Sequence, residues 1–178
     1  MSVHFIAIVP KQSHYPGNKT KGIEILEWLV SLDVIKENLS DCVSGSNGGY
    51  AISEGAKNIT TTPVYLPFDI IPNGLEIVVE RTIFHAAGLD ECKCPVCYKD
   101  ITSEIWLSFD NWFEQKLDDV TCPNCNIKAD INSYLFSPVW GFSDLGFIFW
   151  NWQEFKNEFI EEFKLRLGVD ISIIYAHI

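Results

Sequence analysis

The sequence has no apolar run approaching the ~20 residues needed to span a bilayer. The apolar stretch Val3 to Val9 is short, has no basic residue before it and meets Pro10, unlike a secretory signal. The expectation is a soluble, cytoplasmic protein. The glycosylation-like triplets at Asn18, Asn38 and Asn58 then carry no meaning, because that modification belongs to secreted chains. Basic residues are scarce as well. The 178 residues include 13 Lys and Arg against 24 Asp and Glu, a formal charge of −11. Nucleic acid and anionic membranes recruit clustered cations, so neither is expected as the main partner. Familiar catalytic signatures are missing: there is no H-E-x-x-H, no G-x-S-x-G and no G-x-G-x-x-G. Gly17-Asn18-Lys19-Thr20 lacks the G-x-x-x-x-G-K frame of a phosphate loop.

The composition that remains is globular, 47% hydrophobic and 13% aromatic. The length fits one domain with at most a small second unit. Val3 to Val9 alternates as a strand, with Val3, Phe5, Ala7 and Val9 on one side. Lys11 to Gly22 reads as a loop, and Lys21 to Leu32 as a helix offering Ile25, Leu26, Trp28, Leu29 and Leu32 to a core. The breaker cluster Ser44 to Gly49 is a connector. Leu75 to Phe84 reads as the clearest strand, opened by an Asn73-Gly74 turn. Asn151 to Leu167 reads as the strongest helix: Trp152, Phe155, Phe159, Phe163 and Leu167 recur at helical spacing, and Gly168 stops it. Val169 to Tyr175 alternates as a closing strand. Eight aromatics crowd Tyr134 to Trp152, which core packing explains better than a recognition face. No internal repeat is visible.

Six cysteines are present: Cys42, Cys92, Cys94, Cys97, Cys122 and Cys125. A chain this long can build its own core, and the spacing favours metal over disulfides. Cys94-Pro95-Val96-Cys97 and Cys122-Pro123-Asn124-Cys125 are two C-x-x-C knuckles separated by 24 residues. Each places two sulfurs on one side of a tight turn. Together they make a tetrahedral set of four thiolates, suited to a structural Zn²⁺ with no open position for chemistry. Iron in a rubredoxin-like site is the competing metal. A redox role is less favoured, because a redox C-x-x-C usually stands alone on a thioredoxin-like pattern. Cys92 is an alternative ligand to Cys94, although the proline-containing knuckle favours Cys94. Cys42 reads as a small buried hydrophobe. Asp110 could cap a short helix between the knuckles, with Trp112, Phe113 and Leu117 inward. From Cys92 to Lys128 there are four lysines and six acids, so a ribbon that grips phosphate is not expected.

The simplest architecture is α+β. A mixed or antiparallel sheet with two main helices is built from residues 1–90 and 129–178, and a four-cysteine, zinc-ribbon-like segment at residues 91–128 is inserted. Several segments also carry a resemblance: Asn73-Gly74-Leu75-Glu76, Phe84-His85, the two C-P-x-C knuckles, and Gly146-Phe147-Ile148-Phe149-Trp150-Asn151-Trp152. With these, the chain resembles a group of small bacterial zinc-ribbon proteins of unknown function. Some of that group carry the automatic label "sugar ABC transporter ATPase". The resemblance implies a bacterial cytoplasmic protein and transfers no catalytic residue. The ATPase label finds no support here, since the phosphate loop is missing.

Two functional expectations follow. The first is a non-catalytic zinc-binding interaction module whose acidity suits a basic protein partner, for example as an immunity or inhibitor protein. The second is an enzyme with a site around His85. His4, His14, His85 and His177 are all isolated in sequence, and His85 is singled out because it follows a strand and precedes the ribbon. Glu161 and Glu162 read as solvated surface.

Overall fold

A computed structural model describes residues 3–178. In chain order the elements are β1 (His4–Pro10), α1 (Asn18–Ser31), β2 (Ile35–Ser40), β3 (Gly49–Ile52), α2 (Ala56–Ile59), β4 (Leu75–Val78), β5 (Thr82–Phe84) and β6 (Glu91–Lys93). Then come α3 (Trp106–Phe113), β7 (Asp119–Thr121), β8 (Lys128–Asp130), β9 (Leu135–Ser137), β10 (Gly141–Ser143), β11 (Gly146–Trp150), α4 (Asn157–Leu167) and β12 (Ile171–His177). The fold is α+β, and its main sheet is antiparallel in the order β12-β1-β11-β4-β3-β2.

The alternation read in β1 sets the layers. Ile6 and Ile8 face the main core, under α1 and α4, with Ile25, Leu29, Phe147, Phe149 and Phe163. Ala7 and Val9 face the opposite side, where they meet Phe84 and Ile174. β5 and β10 pair over that second side, and a separate apolar core lies around the cysteines.

β11 is the strand that periodicity does not reveal. Phe147 and Phe149 fill the main core, while Ile148 packs on the other face. A strand buried on both faces reads as a continuous apolar run, without alternation. The Tyr134 to Trp152 aromatics are accordingly core: all eight are buried except Phe136, which is half-buried.

Several boundaries shift. Helix α1 begins at Asn18, because Gly17 adopts φ 71° and turns the chain into it. Leu32 falls beyond its end and is exposed. Leu75 to Phe84 is two strands, β4 in the main sheet and β5 in the small one, so Ile83 joins the cysteine core rather than the main one. Helix α4 begins only at Asn157. Asn151 takes φ 62° and breaks the chain, so Trp152 and Phe155 reach the core from an irregular segment.

Asn73-Gly74 is not a hairpin turn: both backbone N–H groups donate to the Cys42 carbonyl, at 2.8 and 3.1 Å. The glycine serves close approach. A Cβ there would meet the Cys42 Sγ and lie 2.7 Å from the Tyr50 carbonyl oxygen. Gly74→Ala is therefore expected to lower stability by about 1–3 kcal/mol, as overpacking does. Urea unfolding would measure it, and an unchanged midpoint would refute the close-approach argument.

Candidate metal centre

The two knuckles are copies of one turn. In the first, Cys94 N–H donates to the Lys99 carbonyl (3.1 Å) and Tyr98 N–H donates to the Cys94 carbonyl (3.1 Å). In the second, Cys122 N–H donates to the Ile127 carbonyl (2.9 Å) and Asn126 N–H donates to the Cys122 carbonyl (2.9 Å). The residue after the second cysteine is left-handed in both, with φ 57° at Tyr98 and 59° at Asn126. Each turn is closed by a bridge, Lys93 with Asp100 and Thr121 with Lys128. This local duplication is invisible as a sequence repeat, since only the Cys-Pro-x-Cys pattern is shared.

Each turn also aims a backbone N–H at its first sulfur. Val96 donates to Cys94 Sγ and Asn124 to Cys122 Sγ, both at 3.4 Å. The turns meet face to face. Cys94 and Cys125 sulfurs are 3.7 Å apart, as are those of Cys97 and Cys122, and all four lie within 4.8 Å of one another. A Zn–S bond of about 2.3 Å gives a tetrahedron with S···S edges of about 3.8 Å. The four sulfurs are thus placed to hold one metal ion. Cys94 and Cys122 are buried, Cys97 is half-buried and Cys125 reaches the surface.

The four thiols are electrostatically coupled. Burial alone would push the Cys94 thiol up. The Cys97 and Val96 N–H groups and the thiols of Cys122 and Cys97 outweigh it and bring it down to about 6. At Cys125 the Ile127 backbone lowers the value, yet burial and the three neighbouring sulfurs raise it to about 11. Four crowded thiols ionise in sequence, the first easily and the last with difficulty, and a bound cation removes that conflict. Cys92 stands outside the cluster. It is fully buried, and its thiol is pushed up to about 12 by that burial, then by Asp100 and Cys94. Cys42 is also buried, packed with Val43 and Trp150.

The two cysteine turns rest on a core of Ile101, Ile105, Phe109, Trp112, Val120, Ile131, Tyr134, Trp140 and Phe142. Helix α3 supplies Phe109 and Trp112, which share one helical face with Ile105. Phe113 is rotated about 100° from Trp112, so it points outward and is 60% exposed. Leu117 is also exposed, and Asp110 lies within α3 rather than at its start. The expected cap and two of its three inward residues are therefore corrected. Sequence reasoning also missed the exposed Trp106 and Leu107 on α3. A helix this short gives too few turns for an apolar stripe to declare its direction.

A small polar seam joins this core to the loop after β1. Trp112 Nε1 and Asn132 Nδ2 both donate to Ser13 Oγ, at 2.7 and 3.4 Å. Arg81 stacks 4.0 Å over the Trp112 ring, donates from Nε to the Trp112 carbonyl (2.6 Å) and pairs with Asp118.

The other candidates are dispersed. His85 is exposed: its ring stacks on Trp140 (4.7 Å) and its Nδ1 lies 2.8 Å from the Ala86 carbonyl. His14 pairs with Asp144 at 2.6 Å. His4 and His177 lie side by side, with ring centroids 5.6 Å apart. Glu161 and Glu162 sit on the solvent side of α4, where Glu162 pairs with Arg166 (2.8 Å). Among the described residues, the four cysteines are the only cluster of His, Cys, Asp and Glu arranged to hold a metal.

No family model matches this chain, and no curated protein or solved structure matches it either. Among the described residues, no helix is long and apolar enough to cross a membrane.

Proposed function

We propose that this chain is a non-catalytic binding module whose cysteine core folds around a structural Zn²⁺ held by Cys94, Cys97, Cys122 and Cys125. The observation that carries the reading is the four-sulfur tetrahedron. Four protein ligands fill a tetrahedral ion's coordination, so the ion holds the fold and leaves no position for a substrate. Each C-P-x-C turn is short and closed by its own backbone bonds, which suits a rigid clamp better than a redox pair that opens and closes. The resemblance to small bacterial zinc-ribbon proteins points the same way.

The partner we propose is a basic protein, met at α3. Trp106, Leu107, Phe113 and Leu117 are exposed there, and Asp110, Glu114, Asp118 and Asp119 lie exposed among them. An apolar centre with an acidic rim is the anatomy of a protein interface. A chain of net charge −11 would also speed encounter with a basic partner. An immunity or inhibitor protein is one form such a module takes. Elemental analysis should find one zinc per chain. Co-purification at low salt should recover a basic partner that leaves as salt rises, and a Leu107→Asp/Phe113→Asp variant should not retain it. Iron in place of zinc would overturn the metal assignment. Equal retention by the variant would overturn the α3 face.

A further inference from the structure

The six-stranded sheet has two edges, and they are built differently. The β2 edge carries the devices that normally discourage pairing: a register shift between Ile35 and Leu39, and exposed Lys36 and Glu37. The β12 edge carries none. Its seven residues, Ile-Ser-Ile-Ile-Tyr-Ala-His, include no Lys, Arg, Asp, Glu, Pro or Gly. It pairs with β1 in unbroken register from His4 opposite His177 to Pro10 opposite Ile171.

The hydrogen-bond pattern shows which backbone groups are free. Val3 and Ile178 exchange both bonds across the pair, and Lys11 N–H donates to the Asp170 carbonyl. Antiparallel pairs alternate between bonded and non-bonded positions. Ser172, Ile174 and Ala176 therefore bond to β1, while Ile171, Ile173, Tyr175 and His177 aim their N–H and C=O groups away from it. Pro10 fits this phase, since it has no N–H to give and sits opposite Ile171.

We propose that β12 pairs with β12 of a second copy of this chain, antiparallel about Ile174, joining two six-stranded sheets into one of twelve strands. A two-fold axis at Ile174 sets Ile173 against Tyr175 and Ile171 against His177 of the second copy. All four outward residues then find a bonding position, and the strand overlaps over its whole length. Local charge is balanced at the Ile171 end: Lys11 lies with Asp130 and Asp170, and Lys164 is paired to Asp170 at 2.8 Å. The pairing therefore rests on the self-matching register of the free edge. The overall charge of −11 opposes self-association in general, but it acts only within a screening length of about 8 Å at physiological salt.

The test is sedimentation of the metal-loaded protein from micromolar to millimolar concentration, together with amide exchange followed residue by residue. A dimer should form, and rising concentration should slow exchange at Ile171, Ile173, Tyr175 and His177. Tyr175→Lys, at a position 51% exposed, should weaken the dimer about tenfold or more by placing like charges beside the axis. Leu39→Lys, on the β2 edge, should leave it unchanged. A monomer throughout, or a dimer whose new protection lies on β2 or α3, would overturn the proposal.

Discussion

Cys97→Ser is expected to release the metal and unfold the cysteine core. A bound ion would make four crowded thiolates compatible, and binding energy in such sites is folding energy, roughly 10 kcal/mol or more in small zinc-binding peptides. The backbone pairing beside the two turns is short. β6 with β9, and β7 with β8, are pairs of three residues each. The six-stranded sheet packs on its own core of Ile8, Leu29, Phe147 and Phe163, so it should persist. Metal content should fall from one equivalent per chain to none, and near-ultraviolet dichroism should lose the signal of Trp112 and Trp140. Cys92→Ala should keep its metal, because Cys92 lies outside the tetrahedron. Acid should mimic the serine variant: ligands bind as thiolates, so protons compete with the ion and retention falls as pH falls. A full equivalent of metal in Cys97→Ser would mean that the ligands are wrongly assigned.

Trp112→Ala should cost about 3–5 kcal/mol, the range for deleting a large buried aromatic ring. Trp112 has no exposed surface and is bonded in three ways to groups outside α3. Its Nε1 donates to Ser13, its ring carries the Arg81 guanidinium, and it packs edge-on against Phe142 at 5.5 Å. The alanine variant empties the centre of the cysteine core and removes the indole donor to Ser13 and the ring beneath Arg81. Trp112→Phe separates the two effects. It keeps most of the ring and loses the Ser13 bond, for which a cost of about 1 kcal/mol is typical. Chemical denaturation followed by fluorescence would measure both. Near-equal losses in the two variants would show that the hydrogen bond, rather than the ring, carries the contribution of Trp112.

The parts legible in the sequence are those with a strong local period or a strict chemical spacing. β1 alternates because one face meets Ile174 and Phe84 while the other meets α1 and α4. The α4 residues Phe159, Phe163 and Leu167 repeat at helical spacing because a single face is buried. The knuckles stand out because two C-x-x-C pairs in one segment supply the four sulfurs of a tetrahedral metal site, whereas a redox pair usually stands alone. What escaped lacks such a signal. β11 is buried on both faces, and Asn151 breaks an apparently helical pattern by turning left-handed. Leu75 to Phe84 keeps its alternation across a break between two sheets.

Composition, charge and the two C-P-x-C turns therefore determined, before any folding, that this is an acidic α+β chain with a four-thiolate site. Tertiary structure decided which fifth sulfur stays out, which face of α3 meets water and which edge of the sheet is left unguarded. The division has one physical cause. A tight turn fixes its own ligands over four residues, whereas exposure and edge position depend on neighbours that arrive from far along the chain.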